Sequence, residues 1–328
     1  MRVFLTGGTG LIGSHLAAEL RSHGHEVVAL HRPHAATLFL EELECELVTG
    51  DIRDDPDVLT PALEGCSHVA HGAALVYAAG SWPKVRAVNV DGTRNVMTAA
   101  RRAGVGHALH ISSVAVYGDA RGSVDESTPI DTDLPRIDLY ARSKREAEEV
   151  VRGIEEKHGI PVTVMRPAAV YGERDRLMAP ALRRILRLPV VPLLGPATNA
   201  LPVVYAGNLA VAIRMALESA RGGTTYDVGL DHPLNQRELM RGLADGLGIP
   251  LRLVSIPRAL VSVGGTVLAK VGMRTPGAKH LPIDRVTQLA LRENPHLSRL
   301  IRDDLGWDPP HEHRPALERT GRWLAHHG

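Results

Sequence analysis

Aromatic residues make up only 3% of the 328 residues, and just two cysteines, Cys45 and Cys66, are present. So few rings leave few platforms for stacking a nucleobase or a planar substrate; Tyr77, Trp82, Tyr117, Tyr171 and Tyr205 are the candidates. The cysteines lack CxxC spacing and are too few for a disulfide framework, so both are expected to pack as small apolar residues. No charge of one sign prevails: the formal net charge is +1 and the pI about 8.0. That balance argues against a nucleic-acid binder, and the one basic cluster, Arg183, Arg184 and Arg187, reads as a solvated helix face. Long apolar runs are absent as well. The longest, Ala259 to Ala269, ends at Lys270 and is too short to cross a bilayer; it either packs, lines a pocket or rests on a membrane surface. With no basic, apolar and cleavage-site sequence at the N-terminus, a cytoplasmic location without an integral membrane segment is expected. Histidine is frequent, at 17 residues, but scattered. The pairs His311/His313 and His326/His327 have neither a cysteine partner nor an HExxH pattern, so no metal site is expected.

What is present is a chain of 44% hydrophobic composition, long enough for one large domain with a smaller appended lobe. Strand-like apolar runs at 2–6, 26–30, 46–49, 68–70, 107–112 and 162–166 alternate with helical stretches. Such alternation predicts an α/β fold with a doubly wound parallel sheet of the Rossmann type. After Arg166-Pro167 prolines become frequent, at Pro180, Pro189, Pro192, Pro196 and Pro202, and a second lobe is expected to begin there. The predicted division gives residues 1–167, with about 202–230, to the nucleotide-binding domain. Residues 168–201 and 231–328 are expected to form the substrate lobe.

The first strand runs into Thr6-Gly7-Gly8-Thr9-Gly10-Leu11-Ile12-Gly13, and Ser14 to Ser22 read as a helix. Gly8, Gly10 and Gly13 satisfy the dinucleotide spacing, which allows a tight turn, close approach of a pyrophosphate and close helix packing. Gly7, Gly10, Leu11, Ile12 and Gly13 are therefore candidate cofactor contacts at a helix N-terminus. The acidic residue that binds a ribose 2′-hydroxyl in NAD-binding units has no counterpart at the end of the second strand, where His31 and Arg32 stand. A guanidinium pairs with a 2′-phosphate, so NADP(H) is favoured over NAD(H). Alternatively, Arg32 faces solvent and NAD binds without the acid.

Tyr140 and Lys144 lie one helical turn apart in a Gly- and Pro-free stretch, Leu139 to Arg152, and share a face. A nearby ammonium favours the phenolate, which equips Tyr140 for proton transfer. Ser113 follows an apolar strand and can hydrogen-bond the same substrate oxygen.

On these residues the chain resembles the extended short-chain dehydrogenase/reductase family of the NAD-dependent epimerase/dehydratase type. Further motifs carry the resemblance across nearly the whole length: Gly50-Asp51-Ile52, His71-Gly72-Ala73-Ala74, Asn89-Val90-Asp91-Gly92-Thr93-Arg94-Asn95, Arg166-Pro167 and Asp304-Leu305-Gly306-Trp307. The resemblance implies that Tyr140 is the acid/base, that Lys144 binds the nicotinamide ribose, and that Ser113 orients the substrate. It also implies that Asp51, with Ile52, meets the adenine, although a helix N-cap or turn role suits Asp51 equally. Ala73, Ala74, Asn89, Pro167 and Val170 complete the implied cofactor environment, Asn89 by supporting the active-site helix and strand four. A homodimer through the Tyr140 helix and the preceding helix, about Val90 to Arg102, is implied too. So is the discontinuity of the substrate lobe, with Pro202–Leu209 and Thr225–Val228 returning to the sheet.

Departures from the family pattern narrow the chemistry. Val114-Ala115 replaces the Asp-Glu pair of the dehydratases, and Ala169 replaces an Asn that contacts the substrate of nucleotide-sugar epimerases. The Arg166-Pro167 pairing is closer to the dihydroflavonol-reductase and 3-beta-hydroxysteroid-dehydrogenase-like branches, and the apolar stretches Leu186–Leu194 and Ile256–Val271 suit a less polar substrate. Arg174, Arg176, Arg183, Arg184 and Arg187 stand against a wholly apolar substrate. The expected activity is interconversion of a secondary alcohol and a ketone on a small or medium organic substrate. The alternatives are a nucleotide-sugar 4-epimerase with tightly bound NAD, or a non-catalytic cofactor sensor, against which the intact Ser113, Tyr140 and Lys144 count.

Overall fold

The computed structural model describes all residues except 77–80, 119, 121–122, 131–133, 135–137, 258, 261–290, 292, 294–295 and 328. Tyr77, most of Ala259–Ala269 and most of Ile256–Val271 therefore lie outside the described residues. The first half alternates strand and helix: β1 Arg2–Thr6, α1 Leu11–Ser22, β2 Glu26–His31, α2 Leu38–Glu42, β3 Glu46–Thr49, α3 Pro56–Leu63 and β4 His68–His71. It continues with α4 Trp82–Arg86, α5 Gly92–Arg102, β5 His107–Ile111, α6 Leu139–His158 and β6 Val162–Pro167. A π-helical turn, Ala87–Asp91, joins α4 to α5, and a 3-10 turn, Val114–Tyr117, follows β5. Then come β7 Ala169–Tyr171, α7 Ala179–Leu186, β8 Val191–Leu194, β9 Val203–Tyr205, α8 Ala206–Ser219, β10 Thr225–Val228, α9 Gln236–Leu247, β11 Leu253–Ile256, α10 Arg299–Leu305 and α11 His313–His327.

Seven strands form one parallel sheet in the order β10-β6-β5-β4-β1-β2-β3. Its order reverses between β1 and β4, the switch point outside whose carboxyl ends a ligand crevice opens in such sheets. The central strands read as continuous apolar runs because both faces are covered. On one face Val3, Leu5, Leu109 and Met165 pack with α1 and α8; on the other Phe4, Val28, Val69 and Val164 pack with α3 and α5. Cys45 and Cys66 fall one in each layer, buried and free, as expected from the sequence.

Thr225–Val228 returns to the sheet as predicted, as edge strand β10 beside β6. Pro202–Leu209 does not: β9 pairs with β7 in a separate two-stranded sheet, and α8 begins at Ala206. A three-residue strand whose Tyr205 N–H is claimed by the Asp231 carboxylate, at 2.9 Å, has no free edge to offer the main sheet. The active-site helix also runs past Gly153 to His158 and stops at Gly159, which takes the left-handed C-terminal position that glycine fills without strain. The late Asp304-Leu305-Gly306-Trp307 motif secures the chain end. Asp304 accepts hydrogen bonds from Tyr226 and Arg221, while the buried Trp307 indole donates to the Asn208 carbonyl at 3.2 Å.

Four histidines sit side by side within the sheet, His68 opposite His107 and His71 opposite His110 on β4 and β5. The rings of His71 and His110 stack at 5.5 Å. Burial drives the His71 pKa down to about 3 and that of His107 to about 4, and holds His110 well below its ordinary value, so these rings are neutral. His71 is held between Thr6 Oγ1 (2.7 Å) and Thr93 Oγ1 (2.9 Å), which ties β1 to α5.

Outside the sheet, α9 and α11 pack through glycines. A methyl group on Gly321 would stand 2.5 Å from the Leu243 carbonyl oxygen and 2.8 Å from the Gly246 Cα, backbone atoms that cannot turn aside. Gly321→Ala is expected to destabilise the chain by about 1–3 kcal/mol through overpacking, read as a lower midpoint in thermal or urea unfolding. An unchanged midpoint would mean that the two helices do not pack this closely.

Candidate functional site

The glycine turn is built by three positions rather than by the spacing alone. Gly7 has φ +79°, and a Cβ there would meet Ala73 N and the Gly72 carbonyl carbon at 2.9 Å. A Cβ on Gly13 would lie 2.2 Å from the Gly7 oxygen, so the helix can start only if that position is bare. Gly10 is the N-cap of α1 and donates its N–H to Gly7 O at 2.9 Å. Gly8, by contrast, has ordinary backbone, and its Cβ would find side-chain atoms no nearer than 3.4 Å; the strict requirement falls on Gly7 and Gly13. No side chain caps α1, and its first turn carries no acidic residue, so the N–H groups around Leu11 and Ile12 suit an anion such as a dinucleotide diphosphate.

Beside this turn, the ends of β2, β3 and β4 place the other sequence candidates. His31 bridges to the Arg32 carbonyl and to Thr49 Oγ1, and Arg32 is exposed. Asp51 does not cap a helix: Asp55 caps α3, accepting the Asp57 N–H at 2.9 Å. Both Asp51 oxygens instead receive the Arg53 guanidinium, at 2.8 and 2.9 Å, which together with Arg32 lowers the carboxyl pKa. The Ile52 side chain is buried against Gly92, and its carbonyl accepts a hydrogen bond from Asn95 at 3.3 Å. Ala73 and Ala74 are half-buried directly behind Gly7, and Ala73 N donates to Thr6 Oγ1 at 3.2 Å. Pro167 closes β6 and Val170 lies in β7.

Around α6 the polar groups are densely connected. Asp138 caps the helix by accepting the Ala141 N–H. One turn separates Tyr140 from Lys144, whose ammonium lies 5.9 Å from the Tyr140 ring centre and donates to the Ile111 carbonyl at 2.7 Å. Burial pulls the Lys144 pKa from 10.5 down to about 8, against the pull of Glu148, one turn further along. Ser113, half-buried just past β5, accepts the Ala115 N–H at 3.2 Å and retains its own proton for donation. Asn89, in the π-helical turn, holds the Leu75 backbone at both N–H and C=O and donates to Ser143 Oγ at 2.8 Å. It thus fastens the segment after β4 to α6, the supporting position expected of it.

Ser112, Glu148 and Asp227 were not singled out in the sequence. Ser112 Oγ donates to Glu148, which also receives a bidentate Arg166 guanidinium at 2.6 and 3.0 Å. Arg166 donates on to Tyr117, and Tyr117 to Asp227, whose carboxyl pKa burial pushes up to about 7. The repeat Tyr140, Lys144, Glu148 at helical spacing was the available signal, masked by the many other glutamates of this helix. Tyr117, Tyr171 and Tyr205 are all buried with polar partners and offer no open stacking face, while Trp82 lies under the Arg142 guanidinium at 3.8 Å.

An ammonium buried this fully is unfavourable, and the sign follows from its pKa. Unfolded Lys144 binds its proton up to about pH 10.5. The folded group, at about 8, therefore costs stability below pH 8, and the cost fades as pH rises toward 10.5. Lys144→Met should raise the stability of the cofactor-free protein at pH 7 by on the order of 2 kcal/mol. A lower unfolding midpoint for the variant would show that Lys144 is not buried as a free charge.

A profile of the NAD dependent epimerase/dehydratase family matches residues 3–229. The chain is 30% identical over 327 residues to a 3-beta-hydroxysteroid dehydrogenase of Mycolicibacterium neoaurum, covering 94% of this chain and 87% of that one. It is 29% identical over 259 residues to a 2-alkyl-3-oxoalkanoate reductase of Stenotrophomonas maltophilia, covering 76% of this chain and 77% of that protein. Among solved structures it is similar to the dTDP-glucose 4,6-dehydratase DesIV of Streptomyces venezuelae with NAD bound. That match has a TM-score of 0.74 and 27% identity, over 98% of this chain and 96% of the other. The chain belongs to the NAD-dependent epimerase/dehydratase family and is an NAD(P)-dependent oxidoreductase of the extended short-chain dehydrogenase/reductase type.

Proposed function

We propose that this enzyme interconverts a secondary alcohol and a ketone on a small or medium, largely apolar organic molecule, with a preference for NADP(H). The observation that carries the reading is the Lys144 ammonium, 5.9 Å from the Tyr140 ring centre and bonded to the Ile111 carbonyl two residues before Ser113, in a chain with Val114, Ala115 and Ala169 at the family's sugar-nucleotide positions. Apolar residues at those three places supply no acid for elimination and no amide for a nucleotide sugar. The printed activities of two relatives, a reductase of oxoalkanoates and a hydroxysteroid dehydrogenase, point the same way.

The residues fit a dinucleotide. Gly7 and Gly13 leave a cradle that a Cβ would fill, and α1 presents uncapped N–H groups. When bound, the nicotinamide supplies or accepts the hydride. Ser113 donates to the substrate oxygen and holds it at Tyr140. Tyr140 gives its phenolic proton to that oxygen in reduction and takes it back in oxidation. Lys144 holds the ribose and, as a nearby cation, makes the phenolate accessible. Arg32 meets the 2′-phosphate; the carboxylate nearest to it in charge, Asp51, is already neutralised by Arg53 and does not oppose the anion. The same reading carries a homodimer formed through α5 and α6, which sedimentation would report.

The deciding experiment follows nicotinamide absorbance with NADPH and NADH against hydroxysteroids, oxoalkanoates, simple ketones and nucleotide sugars. A net change with an apolar substrate, abolished in Tyr140→Phe while cofactor still binds, is the expected result. Interconversion of a nucleotide sugar without net absorbance change would instead assign a 4-epimerase. Arg32→Ala should weaken NADP+ binding about tenfold or more and leave NAD+ nearly unaffected, as titrated by fluorescence. Equal losses for both would remove the NADP preference.

A further inference from the structure

Lysine is scarce in this chain; five are present, and one of them is Lys144. An ammonium is strongly hydrated, and burying it without a partner of opposite charge is costly. Lys144 is nevertheless only 4% exposed. Its hydrogen bond goes to an uncharged acceptor, the Ile111 carbonyl at 2.7 Å. The titratable groups that face it from the sheet, His71 on β4 and His110 on β5, are neutral rings and offer no countercharge. On its own helix the Tyr140 ring centre stands 5.9 Å away.

Glu148 supplies what these groups lack. It follows Lys144 by one turn of α6, the spacing at which side chains share a helix face, and it is 5% exposed. The two side chains hold successive residues past the middle of the site: Lys144 donates to the Ile111 carbonyl, and Glu148 accepts the Ser112 hydroxyl. Their charged ends are thus brought to the same short stretch of chain at the end of β5. From β6, Arg166, 6% exposed, donates to both Glu148 oxygens at 2.6 and 3.0 Å. Beyond it lie Tyr117 and, on β10, Asp227. The permanent charge of the guanidinium favours the anion at Glu148, and water screens weakly at this depth, so both cations feel it. Burial brings the Lys144 pKa down to about 8, and the attraction of Glu148 opposes that fall.

We propose that Glu148 is a positioning residue that acts through Lys144: its carboxylate is the countercharge of the buried ammonium, and Ser112 and Arg166 hold it in place. A mere fastener between α6 and β6 would need only the shape and hydrogen bonds of this side chain, which glutamine largely keeps. A countercharge needs the charge itself. Without it Lys144 gives up its proton more readily and no longer favours the Tyr140 phenolate. The proposal rests on the role given above to Lys144, and its test uses neither cofactor nor substrate.

The test follows the titration of the lysine side chains by NMR in the full chain labelled at lysine Cε, with Lys144→Met identifying the signal by its absence. Glu148→Gln is expected to lower the Lys144 midpoint by about one pH unit, while Glu148→Asp, which keeps the charge, leaves it close to wild type. Because Glu148→Gln strands Arg166 inside the protein, the double variant Glu148→Gln/Arg166→Met, which removes both charges, carries the test independently. Its midpoint falls too, but by less, since no stray cation remains beside the ammonium. An unchanged midpoint in either folded variant would overturn the proposal. So would an equal fall in Glu148→Asp and Glu148→Gln, which would assign the effect to geometry instead of charge. A lowered midpoint in a protein that turns over none of the substrates above would keep the countercharge and strike only the assigned reaction.

Discussion

A bidentate ion pair between Arg166 and Glu148, withdrawn from water, holds helix α6 against the ends of β5 and β6. Arg166 stands near the end of β6 and Glu148 in the middle of α6, and both are buried. Ser112 joins the same carboxylate from β5, and Tyr117 extends the contact toward Asp227 on β10. Ser112, just past β5, and Arg166, near the end of β6, thus meet helix α6 on one carboxylate. Each charge compensates the desolvation of the other, and loss of either partner leaves an unpaired buried charge, costing about 3–5 kcal/mol. Ser112 directly precedes Ser113 and Glu148 lies one turn beyond Lys144, so this pair fixes how the end of β5 and helix α6 sit against each other.

Asn89 makes a second connection of the same kind. By taking both polar groups of the Leu75 backbone and donating to Ser143, it sets the segment beyond β4 against α6. The extra residue per turn of the π-helical stretch is what turns this amide inward; such turns often occur where function needs a side chain re-aimed. Glycine turn, strand-four segment and reacting helix are thus connected by side-chain contacts rather than by proximity in sequence.

The central sheet was legible because parallel strands covered on both sides are written as unbroken apolar runs, bounded by turn residues. The glycine turn was legible for steric reasons, although spacing alone selected Gly8 where the conformational demand falls on Gly7. The helix of Tyr140 continues through Gly153, since one glycine in a long, amphipathic helix costs only about 1 kcal/mol and does not end it. Strands β7, β8, β9 and β11, of three or four residues each, left no periodicity to read. The expectation that Pro202–Leu209 returns to the main sheet came from the family resemblance and not from the residues themselves. Asp51 offered two local readings, and only the placement of Asp55 and Arg53 decided against the cap. Roles in the reaction were legible from residue types and order; the buried partners that orient them depend on contacts between distant segments.

The histidines inside the sheet set a boundary of a different sort. His71, His107 and His110 are neutral because they are buried, whereas in the unfolded chain each would take up a proton near pH 6.5. Below that pH protons bind the unfolded chain in preference, so they act as a denaturing ligand for this sheet; above it the penalty vanishes. The acid stability of this sheet is accordingly limited by its own interior.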